Sequence, residues 1–265
     1  MARASRAPRN TRGQQNEFRR DTKARNNARP EKEGYGKYHD SANDNSKIVI
    51  DPRTERQRIL LSTINANTLT FATGPAGTGK PHIAVGVGVR GLVAQRKQFK
   101  RVIFSKPDVE IGEKLGTLPG DVNEKTAVRK RSMSDIASKL LGANRLERME
   151  ESGEIVFEPL GSILGLTFDE ALVVLDEAQC ITPEQMRAIL TRIGERTKYV
   201  ICGDFKEQKL SSMTGKCGLE DALERLEYED SVGHVNFRLE DVVRSAFCKN
   251  VIRAYRDHDP EDYEL

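Results

Sequence analysis

The sequence predicts an α/β fold in which a parallel β-sheet carries helices on both faces. Three observations point there. Short β-rich runs alternate with helical stretches from about residue 46 onward. Several of these runs, such as "ALVVL" and "KYVIC", are nearly continuous in apolar residues, as strands covered on both faces must be. The segments richest in chemistry, Gly74–Pro81, Asp176-Glu177 and Gly203-Asp204, each close one of those runs. In open parallel sheets the ligand crevice lies beyond those carboxyl ends.

The elements follow in order. "IVIDPRTERQRILLSTI" starts extended and becomes a helix with Ile59, Leu60 and Ile64 among its apolar positions. "TLTFATG" is a strand ending at Gly74. "HIAVGVGVRGLVAQ" has helical spacing, although its glycines weaken the signal. "RVIFSK" is the second strand, and "PDVEIGEKLGTLPGD" is rich in turn residues. "SMSDIASKLLGANRLERMEESG" predicts one helix, and "EIVFEPL" and "ALVVLDEA" predict strands. "TPEQMRAILTRIG" is a helix with Thr182 as N-cap and Pro183 in the first helical position. "KYVICGD" is a strand, "GLEDALERL" a helix, "GHVNF" a strand and "FCKNVIRAYRD" the closing helix.

Charge is distributed unevenly along the 265 residues. Residues 1–30 hold nine Lys/Arg against two Asp/Glu, a balance of +7, so a total of +3 leaves the rest at −4. With few apolar residues and no period, residues 1–45 are expected to be a disordered basic tail. Such a tail either solubilises the chain or contacts nucleic acid; Glu17 and Asp21 argue against a transit peptide. Residues 46–258 are expected to form the folded domain, and 259–265 a short acidic tail. No apolar stretch approaches the ~20 residues of a membrane helix, and no signal-peptide core begins the chain. Four scattered cysteines, Cys180, Cys202, Cys217 and Cys248, fit a reducing cytoplasm rather than disulfides or zinc.

The strand ends carry the chemistry. In "GPAGTGKP" three glycines let backbone N–H groups turn toward a phosphate, and the following helix adds its positive end. The contacting stretch reads as Gly74, Pro75, Ala76, Gly77, Thr78, Gly79, Lys80, Pro81 and His82, with Lys80 reaching the β- and γ-phosphates of a nucleotide. Position 81 normally supplies a hydroxyl to magnesium, and Pro81 has neither hydroxyl nor N–H. Asp176 after its buried strand would hold Mg²⁺, and Glu177 would polarise the attacking water. Asp204, Glu207 and Gln208 either sense the γ-phosphate or form an ordinary polar turn. Gln57 either reads the adenine edge of ATP or faces solvent from its helix. Arg192 and Arg244 either stabilise transition-state charge, in the same chain or a neighbour's site, or are surface ion-pair residues. The histidines show no metal-ligand spacing.

The segments "FATGPAGTGK", "KPDVEIGEKLGTLPGD", "LVVLDEAQCITPEQMRAILTRIG", "VICGD" and "LEDVVRSAF" resemble the PhoH-like family of ATPases over about residues 48–257. That resemblance implies a RecA-like P-loop NTPase core similar to the first motor domain of superfamily-one helicases. It also implies ATP binding, a role with RNA or single-stranded DNA and an association with phosphate starvation; small members occur in bacteriophages, where the site of action would be the host cytoplasm. By the same resemblance Gly77, Gly79 and Lys80 fall on the phosphate loop, Asp176 and Glu177 on the metal and water positions, and Gln179 completes a DEAQ box. Arg192 and Arg244 fall on the arginines of "TRIG" and "DVVR". The chain departs from the family at Pro81, at Lys106 and Leu166 where arginines are expected, and at "GDFKEQKL", where Gln208 stands one place late.

Two functions follow as expectations. One is an ATPase coupled to RNA or single-stranded DNA, with turnover weakened by Pro81. The other is a nucleotide-responsive nucleic-acid binder without hydrolysis. The chain has room for one such core, so a trans arginine would require a homo-oligomer, for instance a hexameric ring.

Overall fold

A computed structural model describes residues 48–107, 122–204 and 215–256. Both tails, the turn-rich segment after Pro107, and Glu207 and Gln208 lie outside the described residues. The helices are α1 (Glu55–Ala66), α2 (Lys80–Val93), α3 (Val122–Leu141), α4 (Ala143–Glu151), α5 (Leu160–Ile163), α6 (Pro183–Leu190), α7 (Gly218–Arg225) and α8 (Ala246–Arg256). The strands are β1 (Leu69–Thr73), β2 (Arg101–Lys106), β3 (Ile155–Pro159), β4 (Ala171–Leu175), β5 (Lys198–Gly203) and β6 (Val232–Asn236). They form one sheet in the order β3-β2-β4-β5-β1-β6, with every pairing parallel.

Side chains alternate across a strand, so each apolar strand feeds two cores. On one face Leu172 and Val174 of β4 pack with Leu60 and Ile64 of α1, Ile83 and Val87 of α2, Met133 of α3 and Leu146 of α4. On the other, Val173 and Leu175 pack with Ile163 of α5, Met186 and Ile189 of α6 and Leu219 of α7. The chain leaving β1 therefore turns to the first face, and the chain leaving β4 and β5 turns to the second. That divergence opens a crevice over the carboxyl ends of β1, β5 and β4. The expected α/β sheet covered on both faces is the observed one.

Two local expectations need correction. The helix expected over 132–153 begins earlier, at Val122, and is two helices. Gly142 divides it with φ 81° and ψ 149°, a backbone that ends the hydrogen-bond run and that L-residues avoid. The extended start at Ile48 forms no strand. Its side chains instead cover α2: Ile48 is buried in the first core, and Ile50 packs so closely on Gly86 that a Cβ there would sit 3.1 Å from it. The predicted cap of α6 is found as a full capping box. Thr182 Oγ1 accepts from Gln185 N at 3.3 Å, and Gln185 Oε1 accepts from Thr182 N at 3.0 Å. Cys180, Cys202 and Cys217 are buried and form no disulfide among the described residues. Among the described residues no helix is long and apolar enough to cross a membrane.

Candidate active site

The loop after β1 is built on left-handed glycines: φ is 113° at Gly74, 79° at Gly77 and 85° at Gly79. Distant parts of the chain hold it in that path. Gly74 N–H donates to Gly203 O on β5 at 3.1 Å, Phe237 N–H to Thr73 O at 2.7 Å and Val243 N–H to Gly77 O at 3.0 Å. A Cβ on Gly74 would meet the Phe237 carbonyl oxygen at 2.2 Å, so the backbones touch there. Within the loop, buried Thr78 donates its hydroxyl to Pro75 O at 2.9 Å. The N–H groups of Ala76, Gly77, Thr78, Gly79 and Lys80 have no acceptor among the described residues. Unpaired backbone donors are costly away from water, and a run of them around a glycine turn is an anion cradle.

Lys80 opens α2 and is 6% exposed. Its Nζ donates to the loop's own Gly74 O at 2.5 Å and Pro75 O at 2.9 Å. The charge is thus parked on carbonyls beside the cradle. Pro81 occupies the first turn of α2, where a missing N–H breaks no intrahelical bond, so the helix forms normally. Next to it, partial burial and then the charges of Arg53 and Lys139 hold the His82 imidazole below its usual range.

Across the crevice, Asp176 follows β4 and donates its N–H to Ser105 O at 3.0 Å. Loss of solvation and the neighbouring Glu177 raise its carboxyl pKa to about 6, against the opposing charges of Lys106 and Lys80. Lys80 and Asp176 follow β1 and β4, at the same carboxyl edge of the sheet. Glu177 adopts a left-handed backbone, φ 58°, which costs a non-glycine residue of order 1 kcal/mol. Its side chain is held at both oxygens. Lys106 Nζ lies 3.2 Å from Oε1, and Gln179 Nε2 donates to Oε2 at 2.8 Å. Gln179 Oε1 in turn accepts from Asp204 N–H at 3.2 Å. A chain of contacts therefore runs from β2 through Glu177 and Gln179 to the end of β5. Between them, burial and the adjacent Asp176 push the Cys202 thiol far up, so it is inert.

The remaining expected residues separate into those the fold gathers and those it does not. Gln57 is 3% exposed and lies under the loop rather than facing solvent. Its Nε2 donates to Thr78 O at 2.8 Å, and its Oε1 accepts from Arg53 N–H at 2.7 Å. Both polar ends serve the protein, so an adenine contact would require the amide to exchange a partner. Arg244 lies over the loop, its Cγ, Cδ and Nε each 3.0 Å from where a Cβ on Gly77 would stand. Arg192 does not join them. It follows α6 beside Ile193, which bridges Phe168 ahead of β4. A five-residue strand, roughly 16 Å long, separates it from the carboxyl ends, so it serves no charge in its own chain's crevice.

Sequence reasoning missed three supporting groups. Asp241, 6% exposed, accepts from Arg238 N–H and pairs with Arg56 of α1 at 3.5 Å, fixing the segment that presents Arg244. Thr73 Oγ1 donates to Asn236 Oδ1 at 3.2 Å and accepts from His234 Nε2 at 2.7 Å, a geometry that assigns the Nε2–H tautomer. Burial holds that imidazole below its usual range. The Ser105 hydroxyl is buried without a partner beside the Asp176 backbone. Each pairing joins positions too far apart for local patterning; only the rarity of a buried Asp or Ser was a signal.

Comparison with known proteins places this arrangement. The family model described as "PhoH-like protein" matches residues 49–256. Protein PhoH of Escherichia coli K12 is 39% identical over 226 residues, covering 84% of this chain and 62% of that one. The PhoH-like protein of Bacillus subtilis 168 is 39% identical over 219 residues, covering 82% of this chain and 68% of its own length. The chain thus spans about two thirds of the length of these relatives. The large terminase of bacteriophage HK97 aligns over 78% of this chain and 48% of its own, at 11% identity and a TM-score of 0.49.

Proposed function

The chain belongs to the PhoH-like protein family, and on that premise we propose that it binds ATP with magnesium in the crevice above β1, β5 and β4 and hydrolyses it in partnership with RNA or single-stranded DNA. The observation that carries this reading is the run of free N–H groups from Ala76 to Lys80 opposite the Asp176 carboxylate.

Each residue has a definable task. The five N–H groups would receive phosphate oxygens. Lys80 would exchange Gly74 O and Pro75 O for the β- and γ-oxygens, a move of its terminal amine alone. Asp176, at the end of β4, would hold magnesium. That suits an ion that keeps most of its waters and takes one or two protein carboxylates plus phosphates. Magnesium, when bound, would neutralise charge developing on the β- and γ-oxygens. Glu177 would orient the attacking water once Lys106 or Gln179 releases an oxygen. Arg244 overlies the loop and would meet the γ-phosphate in the same chain, while Arg192 would act only in the site of another copy.

Pro81 tempers the chemistry. The Thr78 hydroxyl is no substitute for the missing one, because it is buried on Pro75 O. Losing a hydrogen bond to a charged group costs about 1.5–3 kcal/mol, roughly ten- to a hundredfold. Pro81 therefore favours a second reading, a nucleotide-responsive nucleic-acid binder that does not turn over. Phosphate release with and without RNA and single-stranded DNA separates the two. Slow release that rises with polynucleotide and disappears in Glu177→Gln supports hydrolysis; tight ATP binding with no release under any condition supports the second reading.

A further inference from the structure

We propose that the amino-terminal edge of the sheet, the end away from the ATP crevice, carries a second polynucleotide contact: a basic strip that takes one strand of RNA or single-stranded DNA. The inference rests on the reading that the protein works with a polynucleotide, and it assigns where a strand lies.

The strip crosses the sheet at the starts of β2, β4 and β5. From the first face come Arg90 in the last turn of α2, then Arg96 and Lys97. Lys100 and Arg101 lead into β2, Arg196 and Lys198 into β5, and Arg192 follows α6 on the second face. These eight basic residues stand among four acids, Glu154, Asp169, Glu170 and Glu195, in a chain whose residues beyond position 30 are net negative.

The acids are partly spent. Glu170 is paired at both oxygens, with Lys100 and with Arg196. Glu154 is paired with Lys97 and accepts from Ser152. Asp169 Oδ1 accepts from Glu195 N–H at 2.8 Å, and Asp169 and Glu195 have no ion pair among the described residues, so four acids leave two charges against the basic residues. Lys198 donates to Asn65 O and Asn67 O at the end of α1, and burial lowers its pKa. The guanidinium groups of Arg90, Arg96, Arg101 and Arg192 have no ion pair or hydrogen bond among the described residues. Four unpaired guanidiniums on one edge leave their donor forks open to phosphate oxygens.

Shape selects the class of anion. The basic residues sit at the middle strands. Acids flank them, with Glu150 and Glu151 before β3 and Glu229 and Asp230 before β6. A band so bounded suits a single charged strand rather than a flat anionic surface. A cavity of about 630 Å³ opens into the band between Arg90, Arg196 and Lys198, and Asn65, Thr68 and Gln98 line it with hydrogen-bonding groups. That volume falls within the range of small-ligand pockets, and its lining offers donors and acceptors to one nucleotide unit while the arginines meet phosphates. An acidic surface on a second copy would use the charges but not the cavity.

The test is the salt dependence of polynucleotide binding by the full chain and by the triple variant Arg90→Gln, Arg96→Gln, Arg101→Gln. Binding of oligo-U and oligo-dT is followed by fluorescence anisotropy across a salt series. Each lost phosphate contact on a single strand lowers the slope of log K against log salt by about 0.7, so the variant should lose about 2. Binding of a fluorescent ATP analogue and the thermal unfolding midpoint should stay at parental values, showing that the fold and crevice are intact. An unchanged slope overturns the proposal while leaving ATP-coupled polynucleotide work standing. A parent that binds neither polymer overturns both. A variant with an unchanged slope but altered sedimentation overturns it in favour of contact between copies.

Discussion

Two side chains bear most directly on the proposed chemistry of the crevice. The first is Pro81. Replacing it with Thr returns a hydroxyl and an N–H to the first turn of α2, and ATP turnover should rise ten- to a hundredfold. A Pro81→Thr variant no faster than the parent would remove the loop from the list of rate-limiting defects. The second is Asp176, whose carboxyl is raised to about 6 by burial and by Glu177. The folded protein then holds that proton more tightly than the unfolded chain, so the group contributes stability at pH 4 that is lost as pH rises through 6. In the nucleotide-free protein, Asp176→Asn should therefore stabilise at pH 8, by at most about 3 kcal/mol, and make little difference at pH 4. Thermal unfolding at the two pH values checks this, and equal shifts at both would refute it. Magnesium-dependent nucleotide affinity should show the converse trend, weakening below pH 6 as the carboxylate protonates.

At the scale of elements, α2 shows why part of the fold was open to reading and part was not. Its glycines weakened the helical signal in the sequence, yet one of them, Gly88, is where the helix meets the sheet. A Cβ on Gly88 would lie 2.9 Å from both Leu172 and Val102. Gly88→Ala gains about 1 kcal/mol of helix propensity and loses about 1–3 to crowding. It should lower the unfolding midpoint by a few degrees while ATP affinity persists. Gly142 poses the opposite case: nothing lies within 4 Å of its missing Cβ, so Gly142→Ala should cost about 1–3 kcal/mol through backbone strain alone. A midpoint shift in Gly88→Ala as large as the one in Gly142→Ala, together with lost ATP binding, would mean that α2 has been displaced. The strands and the loop after β1 were legible because apolar runs and glycine spacing are local signals. The Gly142 break was not, since leucines and alanines on both sides keep helical spacing. Nor was the position of Arg192, because α6 must first be known to run back toward the strand starts. The burial of Gln57 was hidden for a related reason: its partner Thr78 lies 21 positions away, and helix periodicity does not reveal what lies beneath a loop.

For the molecule as a whole, the separation of Arg192 from its own crevice means that any role of this arginine in ATP turnover would need a second copy. If Arg192 serves a neighbour, an equal mixture of Arg192→Ala and Lys80→Ala chains should recover activity that neither variant has alone, since mixed contacts pair an intact crevice with an intact arginine. No recovery, with mixed assemblies demonstrated by sedimentation, would confine Arg192 to the basic strip. Deleting residues 1–45 should lower the salt slope of RNA binding independently of the strip variant, and an unchanged slope would leave the tail as a solubiliser.

The contacts that shape the loop after β1 also bear on how the chain matures. Gly203, Phe237 and Val243 supply the backbone partners that hold Thr73, Gly74 and Gly77, so the cradle is completed by residues made up to 169 positions after Gly74. A nascent chain still attached to its ribosome near position 230 would carry the whole glycine loop and Gly203 in sequence but neither Phe237 nor Val243. Such a chain should not retain ATP, so nucleotide capture would wait until Phe237 and Val243 have been made.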